Sequence, residues 1–283
     1  MPSIAECIAR AAECLSNGPH PERARRDAET LLSAVLKKNK AWLLAHAGEE
    51  LPEPAGPVFA QGIERRASGE PVQYILGETE FYGMPFRVTR EVLIPRPETE
   101  HVVEKATELA RQFAAPRIVD VGTGSGAIAI ALAHNRRDAA MTATDVSAAA
   151  LAVARSNAKR NGVAERARFL EGDLLEPVAG EQFEMVVSNP PYVAERDRES
   201  LSVEVRDFEP AEALFAGEDG LAVYRRLIPA AHAALVTGGW IVLEIGYGQE
   251  ANVRELLRAA GFEAIESVAD LQGIARVVCA ARG

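Results

Sequence analysis

An asparagine followed by two prolines and a tyrosine, Asn189 to Tyr192, is the segment of this sequence best suited to bond-forming chemistry. Proline fixes its own φ at about −65° and biases the preceding residue towards an extended backbone, so Asn189 stands on a stiff loop. The Asn189 side-chain oxygen and the Pro190 carbonyl can accept both hydrogens of a planar NH2 group, and Tyr192 offers a flat packing face. Such a nitrogen is a weak nucleophile. We therefore predict catalysis by alignment with an electrophile, with no obligatory base or metal.

A glycine-rich run at residues 120–126 follows a β-rich stretch and precedes an alanine-rich helical one. Glycines at such a turn let backbone amides approach a ligand closely just before a helix N-terminus. Gly122, Gly124 and Ala127 also satisfy the loose G-x-G-x-x-[G/A] dinucleotide pattern, and a tight turn without a ligand is the alternative interpretation. The run predicts a cofactor-binding loop at the carboxyl edge of a sheet.

Acidic residues stand at the end of the second predicted strand and just after the third. Asp145 lies nineteen residues after Gly126, near the offset of about 20 at which an acid binds ribose hydroxyls in doubly wound folds. Asp173 and Leu174 follow the third strand, where an acid and an apolar side chain can flank an adenine. The alternatives are local roles, a helix N-cap for Asp145 and a turn cap for Asp173. Together with the loop, these residues predict an adenosine-containing cofactor.

A mostly parallel sheet must position these residues, because from Arg117 onward short β-rich runs alternate with helical runs, as in βαβ units. The predicted strands are 117–121, 141–145, 167–171, 183–188 and 240–245, with 262–268 and 274–280 as a C-terminal antiparallel hairpin. The predicted helices are 127–135, 148–161 and 222–235. The fold class is therefore α/β, a doubly wound, mostly parallel sheet preceded by a small α-helical bundle.

The N-terminal part of the chain has a different pattern. Apolar residues recur at three- and four-residue steps in the runs 3–17, 24–35, 42–45 and 58–66, which predicts a small helical bundle. Residues 74–89 are rich in aromatic and β-branched side chains broken by Gly77 and Gly83, which predicts a hairpin or paired strands. We therefore divide the chain into a helical domain at 1–75, a hairpin linker at 76–95 and a main domain at 96–283.

Composition excludes several classes of protein. The 283 residues are 48% hydrophobic and 25% charged, too apolar for intrinsic disorder. The 31 basic and 41 acidic residues give a net charge of −10, the wrong sign for a protein that lives on nucleic-acid phosphates. The three cysteines and five histidines show no metal-binding spacing. With no apolar run of membrane-spanning length and no signal-peptide pattern at residues 1–10, we expect a cytoplasmic chain.

On these motifs the sequence resembles the class I S-adenosylmethionine-dependent methyltransferases, and within them the release-factor glutamine N5-methyltransferase family, HemK/PrmC. Besides 120–126 and 189–192, the resemblance is carried by residues 81–83, 94–100, 209–215, 217–224 and 239–246. It covers nearly everything from residue 71 to the end, together with a helical N-terminal unit of the expected size. The Pro-Arg-Pro-Glu-Thr run at 95–99 favours the release-factor enzyme over a related ribosomal-protein glutamine methyltransferase, which usually lacks it.

The resemblance implies that the glutamine of the Gly-Gly-Gln motif of peptide-chain release factors attacks the methyl group of S-adenosylmethionine, giving N5-methylglutamine and S-adenosylhomocysteine. It places the cofactor at Asp120, Gly122, Thr123, Gly124, Ser125, Gly126, Asp145, Asp173, Leu174 and Asn189. It gives catalytic roles to Asn189, Pro190 and Tyr192, and substrate binding to Asn189, Pro190, Pro191 and Tyr192. Family members often carry an aromatic residue where this chain has Leu174. Residues 1–75 then serve substrate recognition in a monomer that contacts neither nucleic acid nor membrane.

Three other functions remain as alternatives. A nucleic-acid adenine or cytosine amino-methyltransferase uses the same nitrogen chemistry on a flipped base, although the acidic charge and the lack of a base-reading module count against it. A nucleotide-binding regulatory module is compatible with the glycine loop but leaves Asn189 to Tyr192 unexplained. An NAD enzyme lacks an identifiable acid or base beside a hydride site. The acidic segment 195–220 is either a substrate-facing flap or a solvated loop or exposed helix.

Overall fold

Two compact units make up the chain in the computed structural model, which describes residues 2–283. Met1, the first residue of the predicted 1–75 domain, lies outside the described residues. The first unit runs to Gly77 and includes Ser202–Phe208, whereas the second comprises Glu78–Leu201 and Glu209–Gly283. Part of the acidic segment therefore belongs to the first unit, although the second unit precedes and follows it in the sequence.

The first unit is helical. Its helices in the N-terminal stretch are α1 (Ile4–Ser16), α2 (Ala24–Leu36), α3 (Lys40–Ala45), α4 (Ala55–Ala67) and α5 (Val72–Leu76). A capping box starts α1, since the Ser3 hydroxyl accepts from the Glu6 amide at 3.2 Å and the Glu6 carboxylate accepts from the Ser3 amide at 2.8 Å. The Arg66 guanidinium is buried and paired with Asp27 at 2.7 Å and Glu204 at 2.5 Å, so its charge is compensated within this unit.

The prediction of extended structure from residue 74 is wrong at its start. Val72–Leu76 forms α5, preceded by Pro71 and ended by Gly77, whose φ of 75° gives the left-handed C-cap that glycine favours. The predicted hairpin follows, with β1 (Glu78–Phe81) and β2 (Met84–Arg87) paired antiparallel. A single turn of helix thus ends before the β-rich stretch begins.

The second unit is built around a seven-stranded sheet of the order β5-β4-β3-β6-β7-β9-β8 within the described residues. Its strands are β3 (Arg117–Val121), β4 (Ala140–Asp145), β5 (Ala167–Glu171), β6 (Phe183–Ser188), β7 (Leu235–Glu244), β8 (Phe262–Ala269) and β9 (Ala275–Arg282). All neighbouring pairs from β5 to β7 are parallel, whereas β9 pairs antiparallel with both β7 and β8. The predicted fold class, with its C-terminal antiparallel hairpin, is confirmed.

The remaining helices are α6 (Glu100–Ala110), α7 (Ala127–Asn135), α8 (Ala148–Arg160), α9 (Val203–Phe208, in the first unit), α10 (Ala222–Ala234) and α11 (Glu250–Ala259). Neither α6 nor α11 is among the predicted helices, although both bury apolar residues at helical spacing, such as Val102 and Ala106 or Val253 and Leu257. The strand predicted from residue 240 begins at Leu235. No helix within residues 2–283 combines the length and apolar character needed to cross a bilayer.

The strand order creates a crevice for a ligand. The chain passes from β3 through β4 to β5 on one side and returns to β6 on the other, so the order reverses between β3 and β6. In such open sheets, ligands bind outside the carboxyl ends of the strands at this switch point. The Ser188 hydroxyl at the end of β6 donates to the Val121 carbonyl at the end of β3 at 2.6 Å. The segments that follow β3 and β6 therefore start close together.

Candidate functional site

The glycine loop forms an open cradle directly after β3. The amides of Gly122 and Thr123 both donate to the Thr144 carbonyl, at 2.9 and 3.0 Å, which turns the chain away from the sheet. Gly122 and Gly124 have φ values of 71° and 54°, and a Cβ on either would meet no atom within 4 Å. The left-handed backbone and the open space together leave room for a ligand at main-chain distance.

Three of the predicted cofactor residues stabilise this loop without lining the cavity in front of it. The buried Asp120 carboxylate accepts from the Thr123 hydroxyl at 2.6 Å and from the Ala129 amide at 3.1 Å, so it joins the loop to α7. Ser125 is buried, and its carbonyl accepts from the Asn157 side chain at 2.9 Å. The side chains of Asp120, Thr123 and Ser125 do not line the cavity described below. They shape the loop rather than face the space in front of it.

Burial raises the pKa of Asp120 to about 7, and the nearby Asp145 adds to the rise, whereas hydrogen bonds from Thr123 and the Ala129 amide oppose it. A carboxyl group with a raised pKa in the folded state stabilises the fold most below its ordinary value of 3.8, and that stabilisation is lost as pH rises towards 7.

Replacing this group should therefore flatten the pH dependence of stability. We expect the free energy of unfolding, measured with urea, to fall less between about pH 5 and about pH 8 in Asp120→Asn than in the wild type. The two decreases should differ by an amount on the order of 2 kcal/mol. Glu171→Gln, which removes an exposed carboxylate from the end of β5, should retain the wild-type dependence. Identical slopes for Asp120→Asn and the wild type would show that Asp120 is ionised like a surface carboxylate.

Asp145 stands at the end of β4 and faces the loop. Its Oδ2 accepts from the Gly124 amide at 2.8 Å and its Oδ1 from the Ser147 amide at 2.9 Å. A carboxylate has about four lone-pair sites, so both oxygens can accept further hydrogen bonds from a ligand. The N-cap of α8 is Ser147, whose hydroxyl accepts from the Ala150 amide at 3.1 Å. Asp145 is therefore not engaged as the helix cap.

Asp173 and Leu174 follow β5 on the other side of Asp145. Leu174 adopts a left-handed φ of 48°, and the Thr144 hydroxyl donates to its carbonyl at 2.7 Å, which fixes this unusual backbone. The Asp173 carboxylate forms an ion pair with Arg226 of α10. The turn thus directs both residues towards the space in front of Gly122 and Gly124.

A cavity of about 270 Å³ lies between these elements. Of the predicted site residues, it is lined by Gly122, Gly124, Asp145, Asp173, Leu174, Asn189 and Pro191. Further lining residues that sequence reasoning did not identify are Glu91, Val92, Leu93, Val146, Ser147, Ala150, Gly172, Pro210, Glu212, Ala213, Val223 and Arg226. The cavity therefore brings together residues from the ends of β3, β4, β5 and β6.

The lining suits a cationic nucleoside. Glu91, Asp145, Asp173 and Glu212 contribute four carboxyl groups against the single guanidinium of Arg226, and apolar side chains such as Leu174 and Val223 provide packing surface. Burial raises the pKa of Asp145, and the neighbouring Glu212 contributes to the rise, so negative charge is concentrated here. A positively charged group in the cavity would relieve that repulsion.

Part of the acidic segment forms one wall. Pro210, Glu212 and Ala213 line the cavity, and the preceding Glu209 carboxylate is buried against Arg96 at 2.6 to 2.8 Å. Arg96 belongs to the Pro-Arg-Pro-Glu-Thr run, so that run anchors the wall of the cavity rather than lining it. The flap, solvated loop or exposed helix expected for residues 195–220 did not include this contribution to the cavity wall.

Asn189 opens the loop after β6 and reaches the cavity with its side chain half-buried. Its Nδ2 donates to the Thr99 hydroxyl at 3.1 Å, which leaves Oδ1 as the acceptor available to a ligand. The Tyr192 hydroxyl donates to the Glu244 carboxylate at 3.3 Å, so the ring is tethered to the end of β7. Pro190, between them in the chain, is buried. The structure thus brings Asn189 to the cavity, whereas Tyr192 stands beside it.

Gln249 ties this loop to its surroundings. Its Nε2 donates to the Tyr192 carbonyl at 2.9 Å, and its Oε1 accepts from the Gly246 amide at 3.0 Å. Gly220 packs so closely here that a Cβ on it would lie 2.3 Å from the Tyr192 carbonyl oxygen. These contacts hold the backbone of the Asn189 to Tyr192 loop in one position.

Removing this tether should slow the reaction without weakening cofactor binding. We expect Gln249→Ala to lower kcat by about 10-fold, because small displacements of a positioning loop carry costs of this size or more. Calorimetric binding of S-adenosylmethionine, the cofactor that the resemblance implies, should be unchanged. As a control, Gln112→Ala removes a surface glutamine that donates a hydrogen bond to one backbone carbonyl on α6. It should change neither kcat nor the affinity for S-adenosylmethionine. An unchanged kcat in Gln249→Ala would mean that the two prolines alone hold the loop.

Sequence reasoning did not assign roles to Thr99, Glu244 or Gln249. Thr99 and Glu244 lie in runs that carry the family resemblance, yet nothing in those runs indicates that they contact Asn189 and Tyr192. Each stands at the end of a different element, and their contacts with Asn189 and Tyr192 arise only when the strands are aligned. The one available signal for a role of Glu244 was its position as an acidic residue at the carboxyl end of an apolar strand.

Comparison with protein families gives two matches. The Methyltransferase small domain family matches residues 101–217, and the PrmC N-terminal domain family matches residues 6–77. A release factor glutamine methyltransferase from Bradyrhizobium diazoefficiens is 45% identical over 263 residues, which span 92% of this chain and 88% of that protein. One from Bordetella pertussis is 44% identical over 258 residues, spanning 91% of this chain and 94% of that protein. The similarity extends over both units.

Among solved structures, a T. thermophilus 16S rRNA methyltransferase in complex with AdoMet and guanosine is similar at a TM-score of 0.55. The match covers 73% of this chain and 50% of that one, at 18% sequence identity. At this identity the likeness shows the fold, which is that of class I methyltransferases.

Proposed function

Since this chain belongs to the release factor glutamine methyltransferase family, we propose that its cavity binds S-adenosylmethionine and that Asn189 presents a release-factor glutamine to it. The chain methylates the side-chain amide nitrogen of that glutamine, and the target is the glutamine of the Gly-Gly-Gln motif. The observation that carries the proposal is the orientation of Asn189, whose Nδ2 is engaged by Thr99 and whose Oδ1 is left to accept from a substrate NH2 group.

The residues present fit the proposed cofactor. The backbone cradle of Gly122 and Gly124 admits a group at main-chain distance, and a side chain on either glycine would fill that space. Asp145 can accept hydrogen bonds from ribose hydroxyls, while Leu174 packs apolar surface against an adenine. When bound, S-adenosylmethionine supplies an electrophilic methyl group on a sulfonium centre and leaves as S-adenosylhomocysteine. The carboxylates of the cavity favour that positive charge.

The substrate amide is activated by position. An amide nitrogen shares its lone pair with the adjacent carbonyl, so the loop must hold it in the geometry of attack. We expect Asn189 Oδ1 and the Pro190 carbonyl to accept the two hydrogens of the glutamine NH2, with Tyr192 packed against the amide plane. The nitrogen forms one bond to the methyl carbon and releases one of its two hydrogens as a proton. Asn189, Pro190 and Tyr192 are therefore the proposed catalytic residues.

The partner is a folded protein, and a cofactor-binding sheet alone offers little area for its recognition. We propose that the helical region at residues 1–75 supplies a second contact surface, with 96–283 as the catalytic domain and 76–95 connecting them. The net charge of −10 supports recognition of the release factor without direct contact to nucleic acid. We further propose a monomer that works in the cytoplasm, away from membranes, where release factors act.

Radiolabelled methyl transfer tests this function. Purified enzyme and labelled S-adenosylmethionine are incubated with a release factor, the same factor with its Gly-Gly-Gln glutamine replaced, a ribosomal-protein fraction, and DNA. We expect label on the unaltered factor alone. Label on the ribosomal fraction or on DNA would instead assign the chain to the ribosomal-protein or nucleic-acid amino-methyltransferases, and no label anywhere would contradict catalysis.

A further inference from the structure

The exposed large apolar side chains of the second unit share one edge of its sheet. Within the described residues of that unit they are Val146, Tyr247 and Leu271. Val146 follows β4 and lines the cavity proposed for the cofactor, which accounts for its exposure. Tyr247 follows β7, Leu271 lies in the turn between β8 and β9, and neither lines that cavity. Because exposed apolar groups that share one region of a surface mark interaction sites, these two residues require an explanation.

The strand register places both residues on the edge of the sheet that carries the substrate loop. Strands β6 and β7 are parallel, with Ser188 opposite Leu243, so the segment after β7 leaves the sheet beside the Asn189 to Tyr192 loop. Strand β9 pairs antiparallel with β7, and Val277 near the start of β9 lies opposite Glu244 at the end of β7. The β8–β9 turn therefore stands at the same carboxyl edge, beyond the segment that follows β7.

Tyr247 stands on an ordered turn that packs against the substrate loop. The Gln249 amide donates to the Gly246 carbonyl at 3.1 Å, and the Gly246 amide donates to Gln249 Oε1 at 3.0 Å. A Cβ on Gly246 would lie 2.9 Å from Cδ2 of Tyr192, so the backbone of the turn lies directly on that ring. Tyr247 itself is 82% exposed. An aromatic ring is thus presented to solvent next to the group proposed to hold the substrate amide.

Leu271 also stands on a hydrogen-bonded turn. The Asp270 amide donates to the Ile274 carbonyl at 2.8 Å, and Asp270 Oδ1 accepts from the Gln272 and Ile274 amides at 2.8 and 3.0 Å. Asp270 Oδ2 is paired with Arg276 at 2.8 Å, which ties the turn to β9. A side chain on an ordered turn loses little backbone freedom on binding, so more of its contact free energy contributes to affinity.

We propose that Tyr247 and Leu271 form a docking surface for the stretch of the release factor that flanks its target glutamine. The inference rests on the proposed function, since it takes the Asn189 to Tyr192 loop to hold that glutamine. The chain on one side of the glutamine then runs outward along the carboxyl edge of the sheet, over the segment that follows β7 and towards the β8–β9 turn.

The spacing of the strands sets which residues of the partner reach this surface. Neighbouring strands are about 4.8 Å apart, so the β8–β9 turn lies about 10 to 15 Å from the loop after β6. An extended chain rises about 3.3 Å per residue, so about three to five residues span this distance. The glycines beside the target glutamine leave peptide planes uncovered for the Tyr247 ring, and an apolar side chain further along the stretch packs on Leu271.

Steady-state kinetics of matched substitutions test this surface. We expect Tyr247→Ala and Leu271→Ala each to raise KM for the release factor about 10-fold, with kcat largely retained, because such contacts stabilise the ground state and the transition state alike. Tyr247→Phe keeps the ring and should keep the wild-type KM. Gln272→Ala, which truncates an exposed side chain in the same turn as Leu271, is the control and should also keep it. Unchanged KM in both alanine variants would overturn the proposal.

Photo-crosslinking locates the partner segment without any need for turnover. The full chain with p-benzoylphenylalanine in place of Tyr247 is irradiated with the release factor, and the linked peptide is identified by mass spectrometry. We expect the crosslink within about five residues of the Gly-Gly-Gln glutamine. A crosslink elsewhere in the factor would overturn the docking surface even if the wild type methylates the factor normally, whereas failure of the wild type to methylate it would overturn the proposed function itself.

Discussion

Asn189→Ala should abolish methyl transfer while leaving cofactor binding largely intact. The substitution removes the only side-chain oxygen that the Asn189 to Tyr192 loop directs into the cavity, whereas the cradle of Gly122 and Gly124 and the Asp145 carboxylate stay in place. Loss of one positioned hydrogen-bonding group in an active site lowers kcat by about 100- to 1000-fold in enzymes where it has been measured. We expect an effect of at least this size.

The measurement is single-turnover methyl transfer to a release factor, with calorimetric titration of S-adenosylmethionine on the same preparations. Asn135→Ala is the matched control, because Asn135 is an exposed asparagine at the end of α7, away from the cavity. Undiminished turnover in Asn189→Ala would contradict the mechanism. A parallel loss of cofactor affinity would instead make Asn189 chiefly a cofactor ligand.

Asp145→Asn should weaken cofactor binding more than any other conservative change at this site. The asparagine keeps the size of the side chain but replaces one accepting oxygen with an NH2 group, which faces the Gly124 or Ser147 amide donor and leaves one acceptor fewer for the ribose hydroxyls. Hydrogen bonds to charged groups contribute about 1.5 to 3 kcal/mol each. We therefore expect Kd for S-adenosylmethionine to rise by about 10- to 100-fold.

Glu171→Gln provides the control for lost charge, since Glu171 ends the neighbouring strand but is exposed and does not line the cavity. Its Kd should match that of the wild type. At saturating cofactor, kcat of Asp145→Asn should recover most of its wild-type value, because the defect lies in binding. If Kd were unchanged, Asp145 would serve only to hold the backbone of the glycine loop.

The parallel core of the fold could be predicted from the sequence because its signals are local. Strand β3, strand β6 and helix α7 have the predicted bounds, since each is a short apolar run bordered by glycine, proline or polar residues. Errors occur where local signals conflict. The strand β7 includes Gly238 and Gly239, so its first residues do not look extended, and the aromatic content of 74–76 hides a helical turn.

The site was predictable to the extent that it follows strand ends. Asn189, Asp145 and the glycine loop all stand at or immediately after the carboxyl ends of predicted strands, and the switch point of the sheet brings them together. Contacts between residues far apart in the chain were not predictable. The hydrogen bonds that join Asn189 to Thr99 and Tyr192 to Glu244 depend on how separate elements align, and no short pattern in the sequence encodes that alignment.

The most direct test of the central claim is tandem mass spectrometry of a release factor treated with the purified enzyme and S-adenosylmethionine. The account predicts one added methyl group, located on the side-chain amide of the glutamine in the Gly-Gly-Gln motif. It also predicts none in a parallel sample treated with Asn189→Ala. A methyl group on any other residue, or the same modified glutamine from the Asn189→Ala enzyme, would contradict it.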